Sequence, residues 1–495
     1  MLSIRNQNFG GSNMENIRFE LKNISMQFLD KEILTIPYLA VHQFDRIGIV
    51  GKNGVGKSTL LKLIAGKLLP QQGTVSAHTD HYYFEQVNFE ATEHTLDVAL
   101  QHKLQAVNPH SGGEHTRLKL AQAFSYYYEA LLLDEPTTHL DQEGLQFLQN
   151  QLSYYYGALI LVSHDRNLLD NVVTTIWEVE EGKIKVYTGN YSDYEALKKL
   201  EKQQKQAAYT KYIREKTQLE KAAVDKMKKA EKITQASNLS KKETKAKPNR
   251  MFETKSKGTS QKAVHRAAKA IEKRIDQLDT VEQLKDRIPI QFHQSKALEL
   301  HNKYPIMLQQ LTLTAEGKTL LRNVQLQIGI RDKIALTGPN GSGKSTLMQA
   351  MISGHENIDK SPKVKIGHFS QLAYQNLPNE TVWHFLKLRC DYSDALIRSV
   401  LNHMQFEHTD LQKPIAVLSG GERIRLLLSE LFLGRYNVLL LDEPTNFLDM
   451  PTREALATFI KAYDGTIIFV SHDEYFVQQV ATRIINLENQ SLIEK

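Results

Sequence analysis

Gly51-Lys-Asn-Gly-Val-Gly-Lys-Ser58 and Gly338-Pro-Asn-Gly-Ser-Gly-Lys-Ser345 are the two stretches on which the fold turns. Each follows a short apolar run, Ile47 to Val50 or Ile334 to Leu336, and precedes a helix-like stretch, Thr59 to Ala65 or Thr346 to Met351. The expected local order is therefore strand, glycine loop, helix. Glycines let backbone N–H groups curl around phosphates at a helix N-terminus, where the dipole favours anions. Gly51, Asn53, Gly54, Gly56 and Thr59, with Gly338, Asn340, Gly341, Gly343 and Thr346, are thus candidate nucleotide-binding residues. Lys57 and Lys344 would reach the β and γ phosphates, and Ser58 and Ser345 would ligate Mg²⁺.

The repeat continues downstream. Leu131-Leu-Leu-Asp-Glu-Pro136 and Leu440-Leu-Asp-Glu-Pro444 each read as an apolar strand ending in paired carboxylates. Asp134 and Asp442 suit Mg²⁺ binding, and Glu135 and Glu443 suit polarising an attacking water. Such a pair at a strand end also suits capping a helix, but the glycine loop upstream favours the metal and water roles. Leu161-Val-Ser-His-Asp165 and Phe469-Val-Ser-His-Asp473 end a further strand in each half, and a histidine in register twice, His164 and His472, points to a γ-phosphate contact. Between loop and carboxylates stand Ser111-Gly-Gly-Glu114 and Ser419-Gly-Gly-Glu422, each opening an amphipathic helix. Ser111 to Glu135 and Ser419 to Glu443 both span 24 residues, and each glutamate precedes its histidine by 29. Lys57 to Ser111 spans 54 residues against 75 from Lys344 to Ser419, so the first half is short by about one small helical insert.

In this order the motifs resemble those of ATP-binding-cassette (ABC) proteins. The resemblance implies an ATPase with two α/β nucleotide-binding domains in tandem, closing face to face on two ATP molecules with Mg²⁺. One site would combine Lys57, Ser58, Gln86, Asp134, Glu135 and His164 with Ser419, Gly420 and Gly421. The other would combine Lys344, Ser345, Gln371, Asp442, Glu443 and His472 with Ser111, Gly112 and Gly113. Asp141 and Asp449, six residues past the glutamates, match the family's D-loop. Phe28 sits where the family often stacks an aromatic on adenine, whereas the matching place near Ala315 has none.

Charge divides the 495-residue chain differently. The net charge is +6, but Lys198 to Arg287 carries 26 basic and 12 acidic residues, a net of +14, leaving −8 elsewhere. Clustered basic charge is the electrostatic footprint of a polyanion partner, although a solvated lysine-rich connector has the same composition. Apolar or small residues at Tyr209, Tyr212, Leu219, Ala223, Met227, Ala230 and Ile233, then at Val264, Ala268, Ile271, Ile275, Leu278 and Val281, predict two helices, Tyr191 to about Gln235 and Lys262 to about Lys285. The domain reading is 1–197 first cassette, 198–287 α-helical hairpin linker with a tip at about 236–261, and 288–495 second cassette.

Two cassettes in one chain with a long charged connector resemble the ABC-F class, which acts on ribosomes. The missing insert resembles its antibiotic-resistance branch, since housekeeping members usually carry an extra arm there. That resemblance implies binding to the 70S ribosome at the tRNA exit site, beside 23S rRNA and P-site tRNA, with the linker tip displacing a drug. Lys241, Lys242, Lys245, Lys247, Arg250, Lys255 and Lys257 would neutralise rRNA phosphates, and Met251 and Phe252 would form the apolar tip, with Phe252 stacking on a base. The alternative is a housekeeping factor acting on stalled ribosomes without drug. A permease ATPase fits less well because it gives no reason for the basic hairpin, and a DNA-clamping cassette protein because such proteins use far longer coiled coils. The single cysteine, Cys390, is expected in the core and the chain in the cytoplasm as a monomer of two pseudo-symmetric halves, with no membrane domain and no DNA partner. The run Tyr126 to Tyr128 is read as helix packing.

Overall fold

The computed structural model describes residues 16–28, 31–85, 112–138, 140–243, 266–267, 269–271, 273–274, 290–292, 298–315, 317–370, 373–375 and 377–494. The chain divides into two compact units, Met1–Tyr194 with Arg287–Lys495, and Glu195–Asp286.

The first half of the larger unit runs β1 (Ile17–Phe28), β2 (Lys31–His42), β3 (Arg46–Val50), α1 (Lys57–Ile64), β4 (Gln72–Ala77), β5 (His81–Phe84), α2 (Gly112–Ser125), β6 (Ala130–Asp134), α3 (Gln142–Tyr154), β7 (Ala158–Val162), α4 (Arg166–Val172), β8 (Thr175–Glu180) and β9 (Lys183–Thr188). Every residue of β6 and β7 is buried, which is why these short strands read as continuous apolar runs. Strands covered on both faces form the middle of a parallel sheet. That sheet has the order β5-β6-β7-β3-β8-β9, with only the last pair antiparallel. A three-stranded antiparallel sheet, β2-β1-β4, covers α1 from the other side. Leu60, Leu61, Leu63 and Ile64 of α1 are fully buried between Phe19, Leu21 and Leu34 of that sheet and Ile47 and Ile49 of the parallel one. The helix that follows the glycine loop is therefore clamped by two sheets.

After α5 (Tyr191–Glu243) the second half repeats the pattern: β10 (Ile306–Ala315), β11 (Lys318–Ile328), β12 (Lys333–Thr337), α6 (Lys344–Ser353), β13 (Ile358–Lys360), β14 (Ile366–Phe369), α7 (Val382–Arg389), α8 (Asp394–His403), α9 (Gly420–Leu433), β15 (Val438–Asp442), α10 (Met450–Ala462), β16 (Thr466–Val470), α11 (Glu474–Val480), β17 (Arg483–Glu488) and β18 (Ser491–Glu494). Its sheet order, β14-β15-β16-β12-β17-β18, is the same permutation. Even small ties recur: Tyr155 Oη donates to the Tyr128 carbonyl and Tyr463 Oη to the Tyr436 carbonyl, both at 2.7 Å. The longer interval of the second half holds α7 and α8, whose Phe385, Leu386, Ile397 and Leu401 pack with Leu428 and Phe432 of α9. The matching interval of the first half, 86–111, lies outside the described residues.

Two expectations need correction. α2 ends at Ser125, so the tyrosine run follows the helix; Tyr128 is buried while Tyr126 and Tyr127 are exposed, because the chain there turns into β6. Helix α5 continues to Glu243, eight residues beyond the expected end at Gln235. Ala236 to Glu243 contains no Gly or Pro and several good helix formers, and the first breaker is Pro248. At 1.5 Å per residue its 53 residues span about 80 Å.

Cys390 is buried at the end of α7 as expected, and burial pushes its thiol up to about 12. At pH 8 roughly one molecule in ten thousand then carries the reactive thiolate. Iodoacetamide should leave the native chain unlabelled over an hour and label it fully in 6 M guanidinium, which mass spectrometry would read directly.

Candidate active site

Both glycine loops leave a central strand and turn at once. Gly51 has φ +150° and Gly338 +137°, and a Cβ added there would lie 2.6 Å from the Val179 carbonyl or 2.5 Å from that of Leu487. No other residue fits so close to the neighbouring strand. The loop hands over to its helix through Gly56 or Gly343, both left-handed. Lys57 Nζ donates to the carbonyls of Gly51 at 2.8 Å and Lys52 at 3.0 Å; Lys344 Nζ does the same with Gly338 at 2.8 Å and Pro339 at 2.9 Å. Each ammonium is folded over its own loop. Burial lowers the pKa of both lysines, with the nearby carboxylates opposing.

The carboxylates close the other wall. Glu135 N–H donates to the Val162 carbonyl at 2.9 Å and Glu443 N–H to the Val470 carbonyl at 3.1 Å, one residue past the last strand pair. Both glutamates take left-handed backbone angles, φ +50° and +49°. Such angles cost a non-glycine residue free energy of order 1 kcal/mol or more, and they cluster at functional sites. Here they turn the side chains into the cavity. His164 Nε2 lies 3.3 Å from Glu135 Oε1 and His472 Nε2 3.3 Å from Glu443 Oε1. These are approaches and not hydrogen bonds, since both Oε1 atoms are buried without a hydrogen-bond partner among the described residues. Burial pushes each glutamate up to about 7, and it pulls His164 well below the usual histidine range and His472 down to about 4. The imidazoles are therefore neutral at physiological pH. Asp134 lies beside Ser58, and its Oδ1 is also left without a hydrogen-bond partner among the described residues.

The two halves meet over these loops. The Asn53 N–H donates to Asp449 Oδ2 at 2.9 Å and its amide to the Phe447 carbonyl at 3.0 Å; reciprocally, the Asn340 N–H donates to Asp141 Oδ2 at 3.4 Å. Asp141 and Asp449 also cap α3 and α10. Between the halves lies one cavity of about 1800 Å³, lined by Lys57, Ser58, Asp134, Glu135 and His164, by Lys344, Ser345, Asp442, Glu443 and His472, and by Ser419 and Gly421. Ser419 starts α9 with a capping box, accepting from Glu422 N–H while Glu422 Oε2 accepts from Ser419 N–H at 2.8 Å. Gly421 lies beside the Asn53 amide of the other half. Half-exposed Phe28 and its counterpart Ala315 line the same cavity, as do Asn53, Gly54, Gly56, Thr59, Asn340, Gly341, Gly343 and Thr346.

Known proteins resemble this chain in sequence and in fold. A family model described as ABC transporter matches residues 37–103 and 321–446, and a second with the same description matches 177–251. The erythromycin resistance ATP-binding protein MsrA of Staphylococcus epidermidis is 41% identical over 97% of this chain and 99% of its own length. The chain belongs to the ABC-F family of ATP-binding-cassette proteins, in its antibiotic-resistance branch. Ribosome protection protein VmlR of Bacillus subtilis is 32% identical over 95% of this chain and 87% of its own. The probable ATP-binding protein YheS of Haemophilus influenzae is 27% identical over 95% of this chain but only 79% of its own. Among solved structures, an RNase-L inhibitor superposes with a TM-score of 0.61 at 17% identity, covering 94% of this chain and 87% of that one, a likeness of fold. As in that tandem protein, the two halves are ABC nucleotide-binding domains.

ABC domains bind ATP, and this ABC-F chain has donors to match. The unpartnered oxygen of Asp134 beside Ser58 suits a small cation that keeps most of its ligands from water and phosphate. Lys57 Nζ donates to two backbone carbonyls and, at 3.4 Å, to Asn53 Oδ1, and Lys344 Nζ to two backbone carbonyls, bonds that a phosphate can replace. Gln86, Ser111 and Gln371 lie outside the described residues, as do Lys245, Lys247, Arg250, Met251, Phe252, Lys255 and Lys257. Lys241 and Lys242 fall in the last turn of α5, and Gly112, Gly113 and Gly420 open α2 and α9. Gly51, Gly338 and Gly420 are not on the cavity wall. Motif reading missed two arginines. Arg117 reaches Asp141 Oδ2 at 2.5 Å. Arg453, in α10, reaches across to the other half, and its counterpart in the repeat is a leucine, so the twofold pattern gave no signal for it. No helix among the described residues is long and apolar enough to cross a membrane.

Proposed function

We propose that the chain is an ATPase that docks, closed on two ATP molecules, at the exit site of the 70S ribosome. There its linker enters toward the peptidyl-transferase centre and displaces an antibiotic bound there or in the exit tunnel. The observation that carries this reading is the 41% identity to MsrA across nearly the whole of both chains. The charge of the linker supports it: a net +14 over Lys198 to Arg287 suits rRNA and P-site tRNA.

In this reading Lys57 and Lys344 hold the β and γ phosphates, and Phe28 stacks on one adenine. Ser58 with Asp134, and Ser345 with Asp442, hold Mg²⁺, which when bound offsets phosphate charge. Glu135 and Glu443 orient and deprotonate the attacking water, and the neutral His164 and His472 approach the γ-phosphate. Ser419, Gly420 and Gly421, and Ser111, Gly112 and Gly113, complete each site from the opposite half. Loss of the γ-phosphate removes the interactions that favour the closed form, so hydrolysis releases the protein.

A translation extract inhibited in turn by a macrolide, a lincosamide, a streptogramin and a pleuromutilin tests this. Purified chain with ATP should restore synthesis against at least one drug. Restoration against none, with a translation defect in a drug-free deletion strain instead, would favour the housekeeping alternative.

A further inference from the structure

The near-twofold axis between the halves sets like against like. Asp165, which caps α4, lies close enough to Asp473, which caps α11, for the charge of Asp473 to raise its pKa, with burial the larger cause. Two facing carboxylates repel. Among the described residues, the cation that bonds Asp473 and also acts on Asp165 is Arg453 of the second half. Arg453 Nη1 donates to Asp473 Oδ2 at 3.0 Å and, across the interface, to the His164 carbonyl at 2.8 Å; its Nε is fixed on the Leu448 carbonyl at 3.0 Å. The side chain is largely buried at 17% exposure, so these bonds are little screened. Arg453 stands four residues past Asp449; four residues past Asp141 stands Leu145, which is partly buried against the apolar core of its own half and lines the cavity. A leucine there has no donor to offer the carbonyl of His472.

We infer that Arg453 is a positioning residue that ties the His164 loop to the opposite half, so that His164 of the site built on Lys57 and Glu135 is held in place from across the interface, while His472 of the site built on Lys344 and Glu443 has no such tie. The same arginine also bonds Asp473, next to His472, but Asp473 is held within its own half as well, accepting from Phe476 N–H at 2.9 Å and donating its N–H to Ser471 Oγ at 3.2 Å. Two sites of the same composition thereby differ in whether the histidine is held from the opposite half. The inference rests on the ATPase reading above.

The test isolates each site by silencing the other. In a Glu443→Gln background only the Glu135 site turns over; in a Glu135→Gln background only the Glu443 site does. Arg453→Ala should lower kcat at the Glu135 site by roughly tenfold or more with KM for ATP changed less than about twofold, because Arg453 positions a loop and is assigned no phosphate. At the Glu443 site the loss should stay under about threefold. Arg453→Lys keeps the charge felt by both glutamates but not the guanidinium fork. It should restore the Glu443 site fully and the Glu135 site only in part. Equal loss at both sites, or no loss at either, overturns the proposal while leaving the ATPase reading intact. Absence of turnover in both single-glutamine backgrounds and in the parent chain would remove the ATPase reading and the proposal with it. Unchanged circular dichroism and melting temperature in Arg453→Lys exclude misfolding as the cause.

Discussion

A chain carrying Glu135→Gln and Glu443→Gln is expected to hydrolyse ATP roughly a hundred- to ten-thousand-fold more slowly than the parent, the range that a positioned general base contributes. It is also expected to sediment with ribosomes whenever ATP is present. The two effects have one cause. Glutamine keeps the size of the side chain but cannot take a proton from water. The surfaces that hold the halves together do not involve the altered carboxylates: Asn53 still meets Asp449 and Phe447, and Asn340 still meets Asp141. Binding to the γ-phosphate therefore persists while its removal fails, and the closed form accumulates. The measurement is co-sedimentation through a sucrose cushion with ATP, with ADP and without nucleotide. Equal pelleting in all three would show that closure does not govern ribosome binding. Single substitutions should fall between, and unequally, if Arg453 distinguishes the sites.

That variant can be designed from the amino-acid sequence, because the motifs carrying the chemistry are bound to backbone geometry. A loop that wraps phosphate needs glycines at fixed offsets, and a parallel core needs short runs of apolar residues, so Gly51 to Ser58 and Leu131 to Glu135 announce both sheet and site. The equal spacings, 24 and 29 residues in each half, make the pairing of the motifs readable. What stays hidden depends on tertiary placement. Nothing in Glu135 or Glu443 says that its backbone is left-handed; that follows from the bond its N–H makes to the next strand. Asp141 and Asp449 carry the look of helix caps, which they are, and only the assembled interface adds the Asn340 and Asn53 amides. Arg453 is invisible for the opposite reason: repeat-based reading weighs what occurs twice, and its bridge between the halves has no counterpart at Leu145. Helix α5 runs past its expected end because lysine-rich sequence without an apolar stripe still favours helix when no Gly or Pro intervenes.

The linker tip supplies the second large effect. Replacing Lys241, Lys242, Lys245, Lys247, Arg250, Lys255 and Lys257 with glutamine is expected to abolish drug protection while leaving ribosome-independent ATP hydrolysis within about twofold of the parent. None of the seven belongs to a phosphate loop, a carboxylate pair or a signature, so nothing in the nucleotide chemistry requires them. Each lysine or arginine that neutralises a phosphate releases a counterion, and the slope of log affinity against log salt falls by roughly 0.7 to 0.9 for each such charge removed. Glutamine at all seven positions would flatten that slope by about 5 to 6. A change below about 1 would mean that the tip's charge is solvated and idle, the plain connector that composition alone also allows. Phe252→Ala separates reach from displacement. With the charges intact, docking and its salt slope should stay near those of the parent, whereas loss of a base–aromatic stack, about 1 to 3 kcal/mol, is enough to remove protection. Protection that survives both Phe252→Ala and Met251→Ala would assign drug release to a change in the ribosome and P-site tRNA brought about by docking, with the cassettes setting how long it lasts.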